Sequence, residues 1–236
     1  GNDFILATAG SYGNGFQLHQ VDKALRVTAG SQYLVNSDDN LWYNGYVENA
    51  KDPHDNWMNV TITANSETKE VCLYVDGSLY ASRISTGDVM FTADSCANYT
   101  FCLNGQCDYN GNCNASFSED ISYRNVRIFN SAIKASQVAK LTNKSELKPI
   151  VNYKLNNENN LLEDSMNNIN LSKLGNVTYK DNGVNLSGDE ASLYIAKTNK
   201  DSKSFASMLN AFTFSFDYRV DDLNGKDFYV AAAGSY

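Results

Sequence analysis

The chain has 236 residues, with 27 Asp and Glu against 19 Lys and Arg and a formal net charge of −8. That balance argues against a nucleic-acid partner, since phosphate neutralisation needs clustered Lys and Arg, and no apolar run reaches the eighteen or so residues that a membrane-spanning helix requires. With 15 Tyr, 11 Phe, only 2 Pro and 42% hydrophobic residues, the composition is that of a chain able to bury a core.

Period-2 alternation predicts strands over residues 3–9, 15–21, 25–29 and 32–36. Residues 57–64 place Val60 and Ile62 on one face, with Asn59, Thr61 and Thr63 on a face expected to point outward. Residues 70–75 and 78–82 flank Asp76-Gly77, a pair suited to a type I′ hairpin turn, whose two central residues both need positive φ. Further strands fit residues 88–92, 99–103 and 124–129. Residues 131–141 read as a helix with a short apolar stripe of Ile133, Val138 and Leu141. The stretch 144–149 (KSELKP) reads as a linker, with a boundary near Lys148. Strands resume at 150–155, 184–186 and 192–196. They end with 211–220, where Phe212, Phe214, Phe216, Tyr218 and Val220 alternate with Thr213, Ser215, Asp217 and Arg219. Many short strands, frequent turn signals and one short helix predict an all-β antiparallel sandwich.

Residues 225–236 (GKDFYVAAAGSY) nearly repeat residues 1–12 (GNDFILATAGSY), identical at eight of twelve positions. Gly1 recurs as Gly225, an offset of 224 residues, about the size of one sandwich domain. One sheet slot takes one strand, so the chain reads as a window on a tandem array. Residues 1–147 would be the later part of one repeat and residues 148–236 the opening part of the next. The missing strands of each half are then expected from neighbouring copies, the alternative being one permuted domain in which residues 148–224 complete 1–147 in the same chain; any targeting signal is expected outside the window.

Several stretches together resemble the laminin-G-like, pentraxin-like branch of the concanavalin A-like lectin and glucanase jelly rolls. Ile150-Val-Asn-Tyr-Lys-Leu is similar to that family's opening strand, and Leu161-Leu-Glu-Asp-Ser-Met-Asn-Asn to its short polar loop. Ala211-Phe-Thr-Phe-Ser-Phe resembles its aromatic-Thr-aliphatic-Ser-aromatic strand. Trp57-Met-Asn-Val-Thr-Ile and Leu73-Tyr-Val-Asp-Gly-Ser-Leu resemble its Trp-led strand and hairpin. Asn125-Val-Arg-Ile-Phe-Asn-Ser-Ala-Ile, followed by Ser136-Gln-Val-Ala-Lys-Leu, is similar to its closing strand and helix. The order is cyclically permuted, closing elements before residue 148 and opening ones after. The resemblance implies a jelly-roll β-sandwich, but the superfold hosts adhesion modules, lectins and hydrolases alike.

The glucanases of that superfold carry a Glu-x-Asp-x-x-Glu strand to supply paired carboxylates. No such string occurs, so no catalysis is expected; Glu119-Asp120, Asp189-Glu190 and Asp221-Asp222 read as solvated loop acids, and His19 and His54 sit in no nucleophile motif. Cys96, Cys102, Cys107 and Cys113 follow a C-x5-C-x4-C-x5-C spacing, looser than structural zinc pairs, and read as two disulfides of open connectivity. Cys72 is the odd cysteine, expected as a buried free thiol. Seven Asn-x-Ser/Thr triplets begin at Asn59, Asn98, Asn114, Asn143, Asn170, Asn176 and Asn185. Asn59, Asn176 and Asn185 are expected on outward strand phases, with Asn59 and Asn185 the foremost glycosylation candidates. Disulfides and sequons together point to an extracellular protein, secreted or at the cell surface. Trp42, Tyr43 and Tyr46 lie in an acidic, Asn-rich stretch that could stack and hydrogen-bond a sugar, or pack on the sheet edge. Residues 37–40 and 164–168 are oxygen-rich candidates for Ca2+, which the resembled family often binds. The leading expectation is a non-catalytic repeat of a structural or adhesive filament or surface protein, partnered by neighbouring copies and possible glycans. A carbohydrate-binding lectin module is the alternative.

Overall fold

A computed structural model describes residues 3–11, 14–21, 24–30, 40–43, 56–84, 101–107, 113–115, 120–141, 147–166, 169–195 and 211–222. The expected strands at 32–36 and 88–92, and the recurring segment 225–236, lie outside the described residues. The strands are β1 (Asp3–Ser11), β2 (Asn14–Val21), β3 (Ala24–Gly30), β4 (Asn40–Tyr43), β5 (Met58–Asn65), β6 (Glu70–Val75) and β7 (Ser78–Ile84). They continue with β8 (Cys102–Leu103), β9 (Gly105–Cys107), β10 (Cys113–Ala115), β11 (Asp120–Phe129) and β12 (Val151–Tyr153). The last are β13 (Ser172–Lys180), β14 (Gly183–Tyr194) and β15 (Ala211–Asp222). A one-turn helix, α1 (Ala135–Val138), follows β11.

All pairings are antiparallel, and the main path runs β4-β3-β2-β1-β8-β14-β11-β15-β5-β6-β7, with β12 joined to β11 and β13 to β14. The fold is an all-β antiparallel sandwich. Strand β14 serves both ends of the path. Its Val184–Leu186 stretch pairs with β11, whereas Leu193 and Tyr194 pair with β8. Gly188 and Glu190, both at positive φ, turn the strand between those two pairings.

The core follows the alternation read from β15. Phe212, Phe214, Phe216, Tyr218 and Val220 are each at most 1% exposed. Their rings meet in tilted or edge-to-face contacts, Phe101 to Phe214 at 4.9 Å and Phe214 to Phe216 at 5.2 Å. Val60, Ile62, Leu73 and Ile128 belong to the same apolar cluster, as do Leu18 of β2 and Leu25 and Val27 of β3.

This arrangement corrects the expectation that each half of the chain waits for a neighbouring copy. β15 lies between β11 and β5 of its own chain, with Phe214 opposite both Ile128 and Ile62. β12 and β14 also pair with β11. Residues after 148 thus complete the sheet begun by residues before 147. Burial of the aromatic row supplies the driving force, about 1.5–3 kcal/mol for each large side chain hidden from water.

The Asp76-Gly77 turn has φ values of 46° and 81°, the double positive φ that a type I′ hairpin demands. The helix is shorter than the expected 131–141. Ile133 N donates to Thr213 Oγ1 and that hydroxyl donates to the Ser131 carbonyl, which holds the approach to the helix extended along β15. The apolar stripe is nonetheless buried as expected, with Ile133, Val138 and Leu141 packing on Cys72, Tyr74 and Phe129. Strand β13 carries Asn176, expected on a strand whose bounds the alternation does not mark. Its two-residue turn, Asp181-Asn182 at φ 50° and 62°, is a second hairpin of the same kind.

Candidate functional site

The polar rows of β5, β11, β14 and β15 share one region, and it is not the solvated surface that alternation alone suggests. Asn59, Thr61 and Thr63 occupy the expected phase of β5, opposite in phase to Val60 and Ile62, yet all are buried. Both faces of these central strands are covered. Toward one end the cover is the segment running into α1, where Arg127 Nη1 donates to the Leu141 carbonyl at 2.6 Å. Toward the other, the polar side chains cover one another.

Asn59 and Asn185 show how. Asn59 Nδ2 donates to Asp217 Oδ1 at 2.8 Å and reaches Ser215 Oγ and the Phe216 carbonyl, while its Oδ1 accepts from Thr61 Oγ1. Asn185 Nδ2 donates to Asp120 Oδ1, to Ser122 Oγ at 3.1 Å and to Asp221 Oδ2 at 3.0 Å. These residues are 7% and 3% exposed. The two foremost glycosylation candidates are therefore corrected: the folded chain offers Nδ2 of neither to a glycan. Asn170 and Asn176 are exposed, Asn176 Nδ2 donating only to Ser187 Oγ. Asn114 stands on β10 opposite Gln106. Asn98 and Asn143 lie outside the described residues.

Around these amides the charges pair off. Arg124 Nε bonds Asp217 Oδ2 at 3.0 Å, and Asn125 Nδ2 donates to the same oxygen at 2.7 Å. Arg219 Nη2 reaches Asp181 at 2.9 Å and also Asp221. Lys180 Nζ lies 3.8 Å from Asp120 and 3.7 Å from Asp221, and Ser122 Oγ donates to Asp221. Asp120 and Asp221, expected as solvated loop acids, are instead held in this network, with the Asp221 side chain 5% exposed. Trp57 is half-buried beneath two guanidiniums, the Arg124 Cζ at 4.1 Å and the Arg219 Cζ at 5.2 Å from its ring centroid. Gly183 lies so close to that ring that a Cβ there would come within 2.4 Å of Trp57. Burial works against the Arg219 charge, but its two carboxylate partners more than offset this and hold its pKa above the ordinary value. The indole is thus engaged by two cations and, at its ring edge, by the backbone at Gly183.

What the sequence does not reveal is that Arg219, Asp221, Asn185 and Trp57 form one network. They come from separate strands, and no motif spacing joins them. The residues singled out for a ligand lie elsewhere. On β4, at the end of the strand path, Trp42 stands opposite Arg26 and Tyr43 opposite Leu25; Tyr46 is outside the described residues. Of the Ca2+ candidates, residues 37–39, Asn167 and Asn168 are outside the described residues. Asp164 is 1% exposed and uses its carboxylate on backbone amides of Asn152, Met166 and Ile169. Among the described residues no group of three or more His, Cys, Asp or Glu is arranged to hold a metal.

The cysteines separate into two kinds. Cys72 is a buried free thiol, as expected, and its pKa is raised by burial and then by Glu70. Cys102, expected in a bridge, forms no disulfide: it is fully buried on β8 beside Leu174 and Tyr194. Strand β8 pairs with β1 on one side and β14 on the other, which encloses that position. Cys107 and Cys113 stand opposite each other on β9 and β10. Cys96 lies outside the described residues. Among the described residues no helix is long and apolar enough to cross a membrane. No family model matches the chain, and no curated protein matches it in sequence.

Proposed function

We propose that the chain is a repeat module of an extracellular, glycosylated structural or adhesive protein, a filament or cell-surface array, and that it acts without catalysis. The observation that carries this reading is the recurrence of residues 1–12 at 225–236. The sheet pairings support it. β12, β14 and β15 fit against β5 and β11, as complementary halves of one kind of domain should. In this reading the domain is a laminin-G-like jelly roll. Residues 1–147 are the later part of one repeat, residues 148–236 open the next, and neighbouring copies are the main partners. Closure within one chain is then the permuted form of what successive repeats do in the array. The non-catalytic reading rests on the lack of a Glu-x-Asp-x-x-Glu string in the sequence; the paired acids Asp120 and Asp221 serve Lys180, Asn185 and Arg219.

Sequencing the parent transcript tests the proposal. Further copies at the 224-residue offset, behind a secretion signal, are expected; a transcript with no further copy, or with no route to the cell exterior, overturns it. The carbohydrate-binding alternative is favoured by one observation, the placement of Trp42 and Tyr43 on an end strand. Specific binding on a glycan array that Trp42→Ala abolishes would replace the structural reading with that one.

A further inference from the structure

We propose that Cys107 and Cys113 form one disulfide, which closes the β9–β10 hairpin, and that Cys102 stays a buried thiol. The backbone register pairs Cys107 directly with Cys113, between the pairs Gln106–Asn114 and Gly105–Ala115. Directly opposed residues of an antiparallel ladder share a face and have Cα atoms about 4.5–5.5 Å apart. That separation lies within the roughly 4.4–6.8 Å that a disulfide spans. Strands β9 and β10 form a separate two-stranded sheet, outside the main path. A two-stranded hairpin is marginal by itself in water, so a covalent tie acts where pairing alone is weakest. Cys102 contrasts with this pair. It stands at 0% exposure between β1 and β14, where its register partners are Thr8 and Tyr194 and neither is a cysteine. Among the described cysteines, Cys107 and Cys113 are the pair that the sheet holds in direct register.

The bond forms by exchange with an external disulfide such as glutathione disulfide. One cysteine thiolate attacks it, releases one glutathione thiolate and leaves a mixed disulfide. The second cysteine thiolate attacks the protein sulfur of that mixed disulfide and expels the other glutathione. Two protein thiols become one disulfide, one glutathione disulfide is reduced to two thiols, and the two protons pass to the leaving thiolates.

The test uses the full chain, oxidised in a glutathione redox buffer, alkylated without reduction and digested with a chymotrypsin-type protease, which cuts after Tyr99, Phe101, Leu103 and Tyr109. Those cuts place Cys96, Cys102, Cys107 and Cys113 in four separate peptides, so a bridge appears as two linked peptides, identified by mass, that fall apart on reduction. The expected result is that linkage in nearly every molecule, with Cys102 alkylated only after unfolding. In Cys107→Ser and Cys113→Ser, the remaining member of the pair should become the one newly alkylatable thiol. Linkage of Cys107 or Cys113 to Cys96 or Cys102, or free thiols at both positions after oxidation, would overturn the proposal. Mapping the unmutated chain keeps it decidable even if the variants fold poorly.

Discussion

Replacing Phe214 with Ala probes the joint between the two halves of the chain. Phe214 is 1% exposed and lies in β15, opposite Ile62 of β5 and Ile128 of β11. Its ring meets Phe101 edge-on at 4.9 Å and Phe216 at 5.2 Å. Truncating a fully buried Phe removes its transfer free energy and leaves a cavity, together about 3–5 kcal/mol. Urea unfolding should show this as a midpoint lower by roughly 1–2.5 M with the slope unchanged, taking a slope of about 2–3 kcal/mol/M. The loss is a large share of the ~5–15 kcal/mol typical of folded domains, so the milder pair Phe214→Leu and Phe101→Leu should accompany it in a double-mutant cycle. That cycle should return a coupling of about 0.5–1.5 kcal/mol, the value of an edge-to-face pair beyond its buried area. The unfolding midpoint should not depend on protein concentration, because β15 fills its slot from the same chain. A loss below about 1 kcal/mol, zero coupling, or a midpoint that rises with concentration would refute the intrachain closure.

The buried ion network should respond unequally to the loss of its two Arg219 partners. Asp221→Asn should cost about 3 kcal/mol, because it strips a carboxylate from a buried guanidinium. Asp181→Asn should cost under about 1 kcal/mol, since Asp181 is 63% exposed and the surrounding water screens it; equal losses by chemical denaturation would contradict the burial pattern. Burial raises the pKa of Cys72, and burial together with Cys72 pushes Tyr74 up to about 12 from 10.0. Raised folded-state values mean stability fully present below the unfolded values and lost above them. The thermal midpoint should therefore fall as pH rises through about 9 to 12, less steeply in Cys72→Ala/Tyr74→Phe; an equal slope in that variant would contradict the assignment. Mass spectrometry of the folded chain, expressed through a eukaryotic secretory pathway, should find glycans at Asn170 and Asn176 and none at Asn59 or Asn185. Occupancy of either buried amide would overturn the hydrogen-bond networks described for it.

Local chemistry was legible in the sequence. The aromatic row of β15, the double positive φ at Asp76-Gly77 and the apolar stripe of Ile133, Val138 and Leu141 each follow from alternation, turn chemistry or helical spacing within a dozen residues. Alternation also put Asn59, Thr61 and Thr63 on the face opposite Val60 and Ile62. It could not say what lies above that face. Period-2 patterning reports which side chains share a side of a strand; burial depends on whether other parts of the chain cover that side. Asn59 meets Asp217, a partner 158 positions away, and Asn185 meets Asp120 across 65. The stacking of Arg124 and Arg219 on Trp57, the enclosure of Cys102 and the seating of β15 between β11 and β5 are likewise non-local. Strand periodicity and turn propensity act along the chain and can be read from it. Covering a polar face, and choosing which half supplies a strand, are decided only when distant segments compete to bury the same surface.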